Sequence, residues 1–256
     1  MPASARPIVT LTTDFGTRDF YVAAMKAAMV RYCPDVRMID VTHQVPRHDI
    51  LCGSITLERA IDGFLPGTVH LAVVDPGVGT DRRILLTELN RQWVVCPDNG
   101  LITWAWRRLR PAVGYELTWR PEQSSATFHG RDIMAPAAAM LAAGEPVERL
   151  GRRINDPIFL DIAPAPPDSP RARIIHIDVF GNATTNIDYE SVQSRPRMQV
   201  TVHGRALGRL KRTYCDVAPG TPLALVGSSG LLEIAVRDGS AAELLNLRVG
   251  DEAVLD

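Results

Sequence analysis

The 256-residue chain has no strong excess of either charge, since 28 Lys and Arg residues stand against 29 Asp and Glu residues. Dedicated nucleic-acid-binding domains usually carry a basic excess, so this balance argues against one. No run of about 18 uninterrupted apolar residues occurs, and a membrane-spanning helix is therefore not expected. The first residues also lack the apolar core of a secretion signal. Together these absences predict a cytoplasmic protein that acts without nucleic acid or membrane.

Cysteine is scarce, and the four that occur form no C-x-x-C pair, so neither a disulfide framework nor a zinc knuckle is indicated. Three further signatures are missing. Gly77-Val78-Gly79 only begins the dinucleotide pattern G-x-G-x-x-G, because residue 82 is Arg. Neither a phosphate-binding P-loop nor the G-x-S-x-G elbow of α/β-hydrolases is present. A nicotinamide cofactor, a nucleoside-triphosphate site of the usual kind and an α/β-hydrolase are therefore not supported.

An alternation of strand and helix patterns fills the first 157 residues. A β-branched run at residues 8–12 precedes apolar residues at helical spacing in residues 20–32, and similar alternation continues to residue 143. Residues 68–74 read as apolar on both faces, which is typical of a buried parallel strand. The pattern predicts an α/β domain over residues 1–157, with a parallel or mixed sheet flanked by helices.

The composition changes at residues 158–170, where four prolines fall within ten residues. Such a segment is typical of a semi-rigid linker between domains. Beyond it, short strand patterns punctuated by Gly and Pro follow one another, and helical spacing is nearly absent. Residues 171–256 are therefore predicted to form a small all-β domain with a barrel-like sheet.

Five polar clusters lie where strands of the first domain are predicted to end or a helix to begin. Ligands bind beyond the carboxyl ends of strands in open α/β sheets. One such cluster is ordinary turn chemistry, but five in one domain favour a ligand site. The clusters are Thr12–Gly16, Asp40–His43, Asp75–Arg83, Pro97–Gly100 and Phe128–Asp132. The spacing of Asp14, His43 and Asp75 leaves a metal-dependent hydrolase open as an alternative.

In their order along the chain, these clusters resemble the S-adenosyl-L-methionine hydroxide adenosyltransferases, relatives of the fluorinases and chlorinases. The resemblance extends to Ile177–Asn182 and Thr185-Asn186 in the second domain, so it covers nearly the whole chain. It implies an α/β domain joined to a β-barrel, in a homotrimer whose active sites lie between subunits. It also implies hydrolysis of S-adenosyl-L-methionine (SAM), in which water or hydroxide attacks the ribose C5′ and adenosine and methionine form without a metal.

The resemblance assigns roles to ten residues. Arg82 would stabilise a hydroxide-like nucleophile, Asp75 would hold the water and compensate Arg82, and His129 would hydrogen-bond or relay the proton. The remaining seven positions would bind substrate: Asp14 the ribose hydroxyls, Asp19 and Asp178 the methionine ammonium, Ser228 its carboxylate, and Phe180, Asn182 and Tyr214 the adenine.

Departures from the halogenase pattern favour water as the nucleophile. Fluorinases carry Tyr at the position of Asp75, a Tyr-Ser pair at the positions of His129 and Gly130, and a long insertion that this chain lacks. A carboxylate at residue 75 would repel a halide. Ser229 replaces an Arg beside the carboxylate-binding serine, so the binding of the methionine carboxylate is open. A non-catalytic sensor of adenosine or SAM is the second alternative.

Overall fold

The computed structural model describes residues 6–109, 113–162, 164–166, 168–195 and 197–256. The chain divides into two compact units, which separate between residues 162 and 163. This division falls inside the predicted linker of residues 158–170, of which Ala163 and Pro167 lie outside the described residues.

A seven-stranded mixed sheet forms the framework of the first unit. Its strands are β1 (Ile8–Thr13), β2 (Arg37–Thr42), β3 (Val69–Val73), β4 (Ile84–Leu89), β5 (Gln92–Pro97), β6 (Gly114–Leu117) and β7 (Gly151–Ile154). In space they follow the order β2-β1-β3-β5-β4-β6-β7. Neighbouring strands along β2-β1-β3-β5 pair in parallel, and those along β5-β4-β6-β7 pair antiparallel. The predicted α/β sheet is confirmed, and it is a mixed one.

Helices pack on both faces of this sheet. They are α1 (Tyr21–Tyr32), α2 (Ile50–Gly63), α3 (Thr103–Leu109), α4 (Ala135–Ala142) and α5 (Val147–Leu150), with a π-helical segment at Gly130–Met134 directly before α4. Asp49 caps α2, because its carboxylate accepts the Cys52 amide over 2.9 Å. Within the described ranges, no helix combines the length and apolar character needed to cross a bilayer.

Two apolar cores hold the strand ends in place. Leu11 and Val73 pack with Met25 of α1 on one face of the sheet, while Val74 packs with Leu57 of α2 on the other. The chain runs from β1 to β2 on one side and then returns to β3 on the other side of β1. This reversal of strand order places the carboxyl ends of β1 and β3 together, where ligands bind in such sheets.

The second unit is a nearly closed antiparallel barrel, which confirms the predicted all-β domain. Its strands are β8 (Arg171–Ile177), β9 (Ala183–Asp188), β10 (Gln199–Val202), β11 (Arg205–Arg209), β12 (Pro222–Val226), β13 (Leu231–Val236) and β14 (Glu252–Leu255), in the order β11-β10-β14-β8-β9-β13-β12. After β11, the Lys211 amide donates to the Ala224 carbonyl of β12 over 2.8 Å, which draws the two edges together. Short helices α6 (Tyr189–Gln193) and α7 (Ala241–Leu244) interrupt the strands.

Candidate active site

The three predicted catalytic side chains meet beyond the carboxyl end of β3. Arg82 Nε donates to Asp75 Oδ1 over 2.6 Å, and Arg82 Nη2 donates to Oδ2, which makes the pair bidentate. The same Nη2 lies 3.3 Å from His129 Nδ1. The side chains of Arg82 and Asp75 are only 9% and 5% exposed. Asp75, Arg82 and His129 thus form one group, called here the Arg82 cluster, in which the ion pair is nearly buried and His129 is half-buried.

His129 is held as a neutral imidazole within this cluster. Burial, and after it the nearby Arg82 cation, lower the pKa of His129 below its ordinary value. A guanidinium can only donate hydrogen bonds, so Nδ1 is assigned as the acceptor and the ring proton is assigned to Nε2. The free nitrogen of His129 is therefore a donor rather than a base.

The loop over residues 75–82 folds back, which allows Asp75 and Arg82 to pair although they are seven residues apart. The amide and the hydroxyl of Thr80 both donate to the Gly77 carbonyl, over 3.2 and 2.7 Å. Gly79 has a φ of +84°, and a Cβ there would lie 2.8 Å from the Ala126 carbonyl oxygen. Only glycine meets both demands at this turn.

A cavity of about 200 Å³ opens beside the Arg82 cluster. Asp75 and His129 line it together with Phe15, Tyr21 and Phe128. The aromatic rings meet edge to face, with centroids 6.0 Å apart for Phe15 and Phe128 and 5.3 Å apart for Tyr21 and Phe128. Pockets for drug-sized ligands usually measure roughly 300–1,000 Å³, so this cavity is smaller than a typical ligand pocket.

Asp14 lies in the turn that follows β1. Its Oδ2 accepts the backbone amide of His48 over 2.9 Å. His43 secures the turn from below, because its Nδ1 lies 2.9 Å from Thr13 Oγ1 and its carbonyl accepts the Gly16 amide over 2.7 Å. Asp19 stands on the exposed surface just before α1.

Asp14, His43 and Asp75, the side chains of the alternative metal site, each contact other protein groups. His43 lies between Thr13 and Asp40, with its Nε2 3.1 Å from Asp40 Oδ1, while Asp75 holds Arg82 and Asp14 holds the His48 amide. Among the residues that the structure describes, no group of three His, Cys, Asp or Glu side chains is arranged to hold a metal ion.

The Pro97–Gly100 cluster supports the scaffold. Asp98 accepts Arg83 Nε over 2.9 Å and the Ile158 amide over 2.8 Å, and its side chain is fully buried. Asn99 Nδ2 donates to the Val74 carbonyl over 2.9 Å. The contact of Asn99 with Val74 fixes the segment that follows β3 and leads to Asp75. This cluster therefore supports the Arg82 cluster but does not line the cavity.

Asp178 organises the turn between β8 and β9 in the second unit. Its Oδ1 accepts the amides of Phe180 and Asn182, each over 2.9 Å, and its Oδ2 accepts Asn182 Nδ2 over 3.1 Å. Phe180 is 74% exposed, so its ring is not part of the barrel core. The structure therefore brings Asp178, Phe180 and Asn182 into one turn and presents an aromatic face to solvent.

Tyr214 and Ser228 lie near a residue that the sequence analysis missed. The Tyr214 hydroxyl donates to Glu233 Oε1 over 2.7 Å. Burial, and then the hydrogen bond to Glu233, raise the pKa of Tyr214 to about 12. Ser228 stands in the turn between β12 and β13, and Gly227 before it packs on the Glu233 carboxylate. The sequence indicates this residue in one way only: Glu233 is the single charged residue in the otherwise apolar strand Leu231–Val236.

Comparisons with known proteins match both units. The model of the SAM hydroxide adenosyltransferase N-terminal domain matches residues 9–151, and that of the C-terminal domain matches residues 172–254. The chain is 39% identical to an (R)-S-adenosyl-L-methionine hydrolase of Salinispora arenicola, over 97% of each chain. It is 27% identical to a fluorinase of Nocardia brasiliensis, over 96% of this chain and 95% of that protein.

A solved structure has the same fold. The crystal structure of an uncharacterized conserved protein from Thermotoga maritima matches with a TM-score of 0.89 and 35% sequence identity. The match covers 97% of this chain and all of that one. Both units therefore have counterparts in a single experimentally determined chain.

Proposed function

This chain belongs to the SAM hydroxide adenosyltransferase family, and on that premise we propose that it hydrolyses S-adenosyl-L-methionine to adenosine and L-methionine. The observation that carries the proposal is the Arg82 cluster, with its nearly buried ion pair, beside an aromatic-lined cavity. Identity to a named hydrolase, at 39%, also exceeds the 27% identity to a fluorinase.

The reaction is a displacement at the ribose C5′. The oxygen of a water molecule forms a bond to C5′ as the C5′–S bond breaks, and the bonding pair moves to sulfur. The sulfonium becomes the neutral thioether of methionine, and one water proton is released. Because the leaving group already carries a positive charge, the protein must mainly supply in-line geometry, a shielded site and an activated water.

The Arg82 cluster suits activation of that water. The Arg82 cation stabilises the negative charge that develops on the attacking oxygen. Each Asp75 oxygen keeps a lone pair beyond the one that accepts from Arg82, so Asp75 can take the proton. His129 Nε2–H can donate to the water and hold it in line with the C5′–S bond.

Substrate binding follows the roles that the family resemblance implies. Asp14 commits one carboxylate oxygen to the His48 amide, which leaves the other for a ribose hydroxyl. We assign the other positions as follows: Asp19 and Asp178 to the ammonium, Ser228 to the carboxylate, and Phe180, Asn182 and Tyr214 to the adenine.

We also propose a cytoplasmic homotrimer without a bound cofactor, in which the first unit of one subunit and the second unit of the next complete each active site. The small cavity of the first unit supports this, since the groups assigned to adenine belong to the second. Light scattering should give three times the chain mass, and a fully active monomer would contradict the shared site.

The sulfonium configuration is part of the proposal. In the name of the Salinispora arenicola relative, "L" already specifies the amino-acid carbon, so "(R)" describes the sulfonium. We propose the (R)-sulfonium epimer as the substrate of this chain. Separate assays with samples enriched in each epimer should show faster consumption of the (R) form, and equal rates would contradict the assignment.

A chromatographic product assay tests the function. Purified protein would be incubated with SAM and a chelator, without added halide, and adenosine and methionine should accumulate in equal amounts. The D75N variant keeps the side-chain volume and should lose at least about 100-fold in kcat, the usual range for acid–base groups. D81N is the matched control, because Asp81 is an exposed carboxylate of the same loop.

Other outcomes would redirect the proposal. A single stoichiometric burst without turnover would indicate a sensor. Activity abolished by the chelator and restored by a metal would indicate the metal-dependent alternative. A folded D75N variant with full activity would exclude Asp75 as the proton acceptor.

A further inference from the structure

Glu233 is a buried carboxyl group in the barrel of the second unit. It lies within β13 between apolar residues, and it is 8% exposed. Glu58 of the first unit, which is also buried, contacts both Arg59 and Arg108. Among the described residues, no Lys, Arg or His side chain forms an ion pair with Glu233, and its hydrogen-bond donor is the neutral hydroxyl of Tyr214. A buried carboxylate is costly unless it is hydrogen-bonded or paired, so its presence calls for a physical reason.

The contacts of Glu233 link it to two of the proposed binding elements. Its Oε1 accepts the Tyr214 hydroxyl over 2.7 Å. Its Oε2 lies against Gly227, where a Cβ would come within 2.6 Å. Gly227 begins the turn that carries Ser228, and this turn is closed by the Gly230 amide, which donates to the Gly227 carbonyl over 2.9 Å. One carboxylate therefore contacts both Tyr214 and the base of the Ser228 turn.

We propose that Glu233 is a positioning residue, which holds the Tyr214 ring and the turn at residues 227–230 in their binding arrangement before the substrate arrives. This inference rests on the proposed function, because it assigns Tyr214 to the adenine. Tyr214 is 41% exposed, so the ring has room to adopt other rotamers when its hydroxyl is not held. Fixing such a group in advance reduces the entropy lost on binding. Glu233 thus acts on affinity, through Tyr214 for the adenosine moiety and through the Ser228 turn for the methionine moiety, and leaves the C–S bond-breaking step unaffected.

Three variants separate the hydrogen bond from the charge. E233L removes both, E233Q keeps an acceptor oxygen of similar reach, and Y214F removes only the donor. We expect E233L and Y214F each to raise the adenosine Kd by calorimetry and the KM for SAM about tenfold, with kcat nearly unchanged, a change equivalent to about 1.4 kcal/mol. E233Q should restore most of the affinity. In the adenosine titration, the E233L/Y214F double variant should be no weaker than either single variant, because both changes remove the hydrogen bond that holds the adenine-binding ring.

Glu252 provides the matched control. It is a carboxylate of the same barrel, exposed and paired with Arg171, so E252Q should bind and react like the wild type. If Y214F binds adenosine as tightly as the wild type, or if E233Q is as weak as E233L, the inference is wrong. A fall in kcat at unchanged KM would also contradict it.

The same experiment distinguishes this inference from the proposed function. Wild-type protein that binds adenosine but does not hydrolyse SAM would refute the hydrolase proposal, while the adenosine titrations would still test Glu233. Should E233L fail to fold in a thermal melt, Y214F and E233Q still decide the outcome.

Discussion

The polar clusters of the two units balance charge in opposite ways. In the first unit, the Arg82 cation stands between a carboxylate and an imidazole. In the second, the carboxylates of Asp178 and Glu233 are held by neutral amide and hydroxyl donors. A cation suits a nucleophile that becomes negative, whereas the Asp178 carboxylate suits a substrate that arrives with a sulfonium and an ammonium. In the proposed function, the first unit therefore activates water, and Asp19 of the first unit and Asp178 of the second bind the ammonium.

The largest expected effect comes from removing the cation. R82M should lower kcat/KM by about 1,000-fold, the upper range for loss of one electrostatic donor in an active site. R82K keeps the charge but loses the bidentate geometry, so it should recover only part of this loss. Steady-state kinetics with R152M, an exposed arginine paired with Glu116, provides the comparison. Near-normal kcat/KM in R82M would remove the cation from the mechanism.

An intermediate effect is expected from neutralising the second unit. D178N keeps an oxygen that can accept the amides of the turn, but it loses the charge assigned to the ammonium. KM for SAM should rise by about tenfold, as expected for the loss of a charge-assisted hydrogen bond. The adenosine Kd should change little, since adenosine has no ammonium. Equal weakening of both ligands in calorimetry would show that Asp178 acts only through the fold of its turn.

The smallest effect is a pH dependence that originates in the first unit. The folded protein lowers the pKa of His129 below 6.5, so the ring stays neutral at pH 7 and gains its proton only at lower pH. An imidazolium there can no longer accept from Arg82, so kcat/KM should fall as the pH falls through this lowered pKa. A profile of kcat/KM against pH should therefore show an acid limb below pH 6.5, and H129N should lack it. An acid limb that begins above pH 6.5 would contradict this origin.

The sequence pattern predicted those elements whose apolar residues repeat clearly, such as β1 and α1. It gave no indication of β6 or β7, which are four residues long and carry charges. Glu116 of β6 pairs with Arg152 of β7 across the strands, so their pairing depends on contacts between distant segments. Strand preference is set largely by such context, which a local window does not contain.

The candidate site divides in a similar way. Asp75 and Arg82 are close in sequence within a glycine-containing loop, and the structure brings them together. Glu233 and Tyr214 are 19 residues apart, and only the barrel places them in contact. Asp98 was grouped with ligand-binding clusters on its turn composition, although its oxygens hold Arg83 and the Ile158 amide. Composition identifies polar turns, but burial decides whether their side chains face a ligand or the scaffold.

The adjacent arginines at the end of the loop limit how this protein can be re-engineered. Arg82 reaches Asp75, while Arg83 reaches Asp98 and Asp156. Successive side chains of an extended segment point in opposite directions, so the phase in which the chain enters β4 determines which guanidinium faces Asp75. A one-residue insertion next to β4 would place Arg83 in the phase of Arg82 and move Arg82 out of it. Loop grafts and library insertions should therefore spare the residues next to β4, and they should also spare Thr80, whose amide and hydroxyl hold the fold-back of the loop on Gly77.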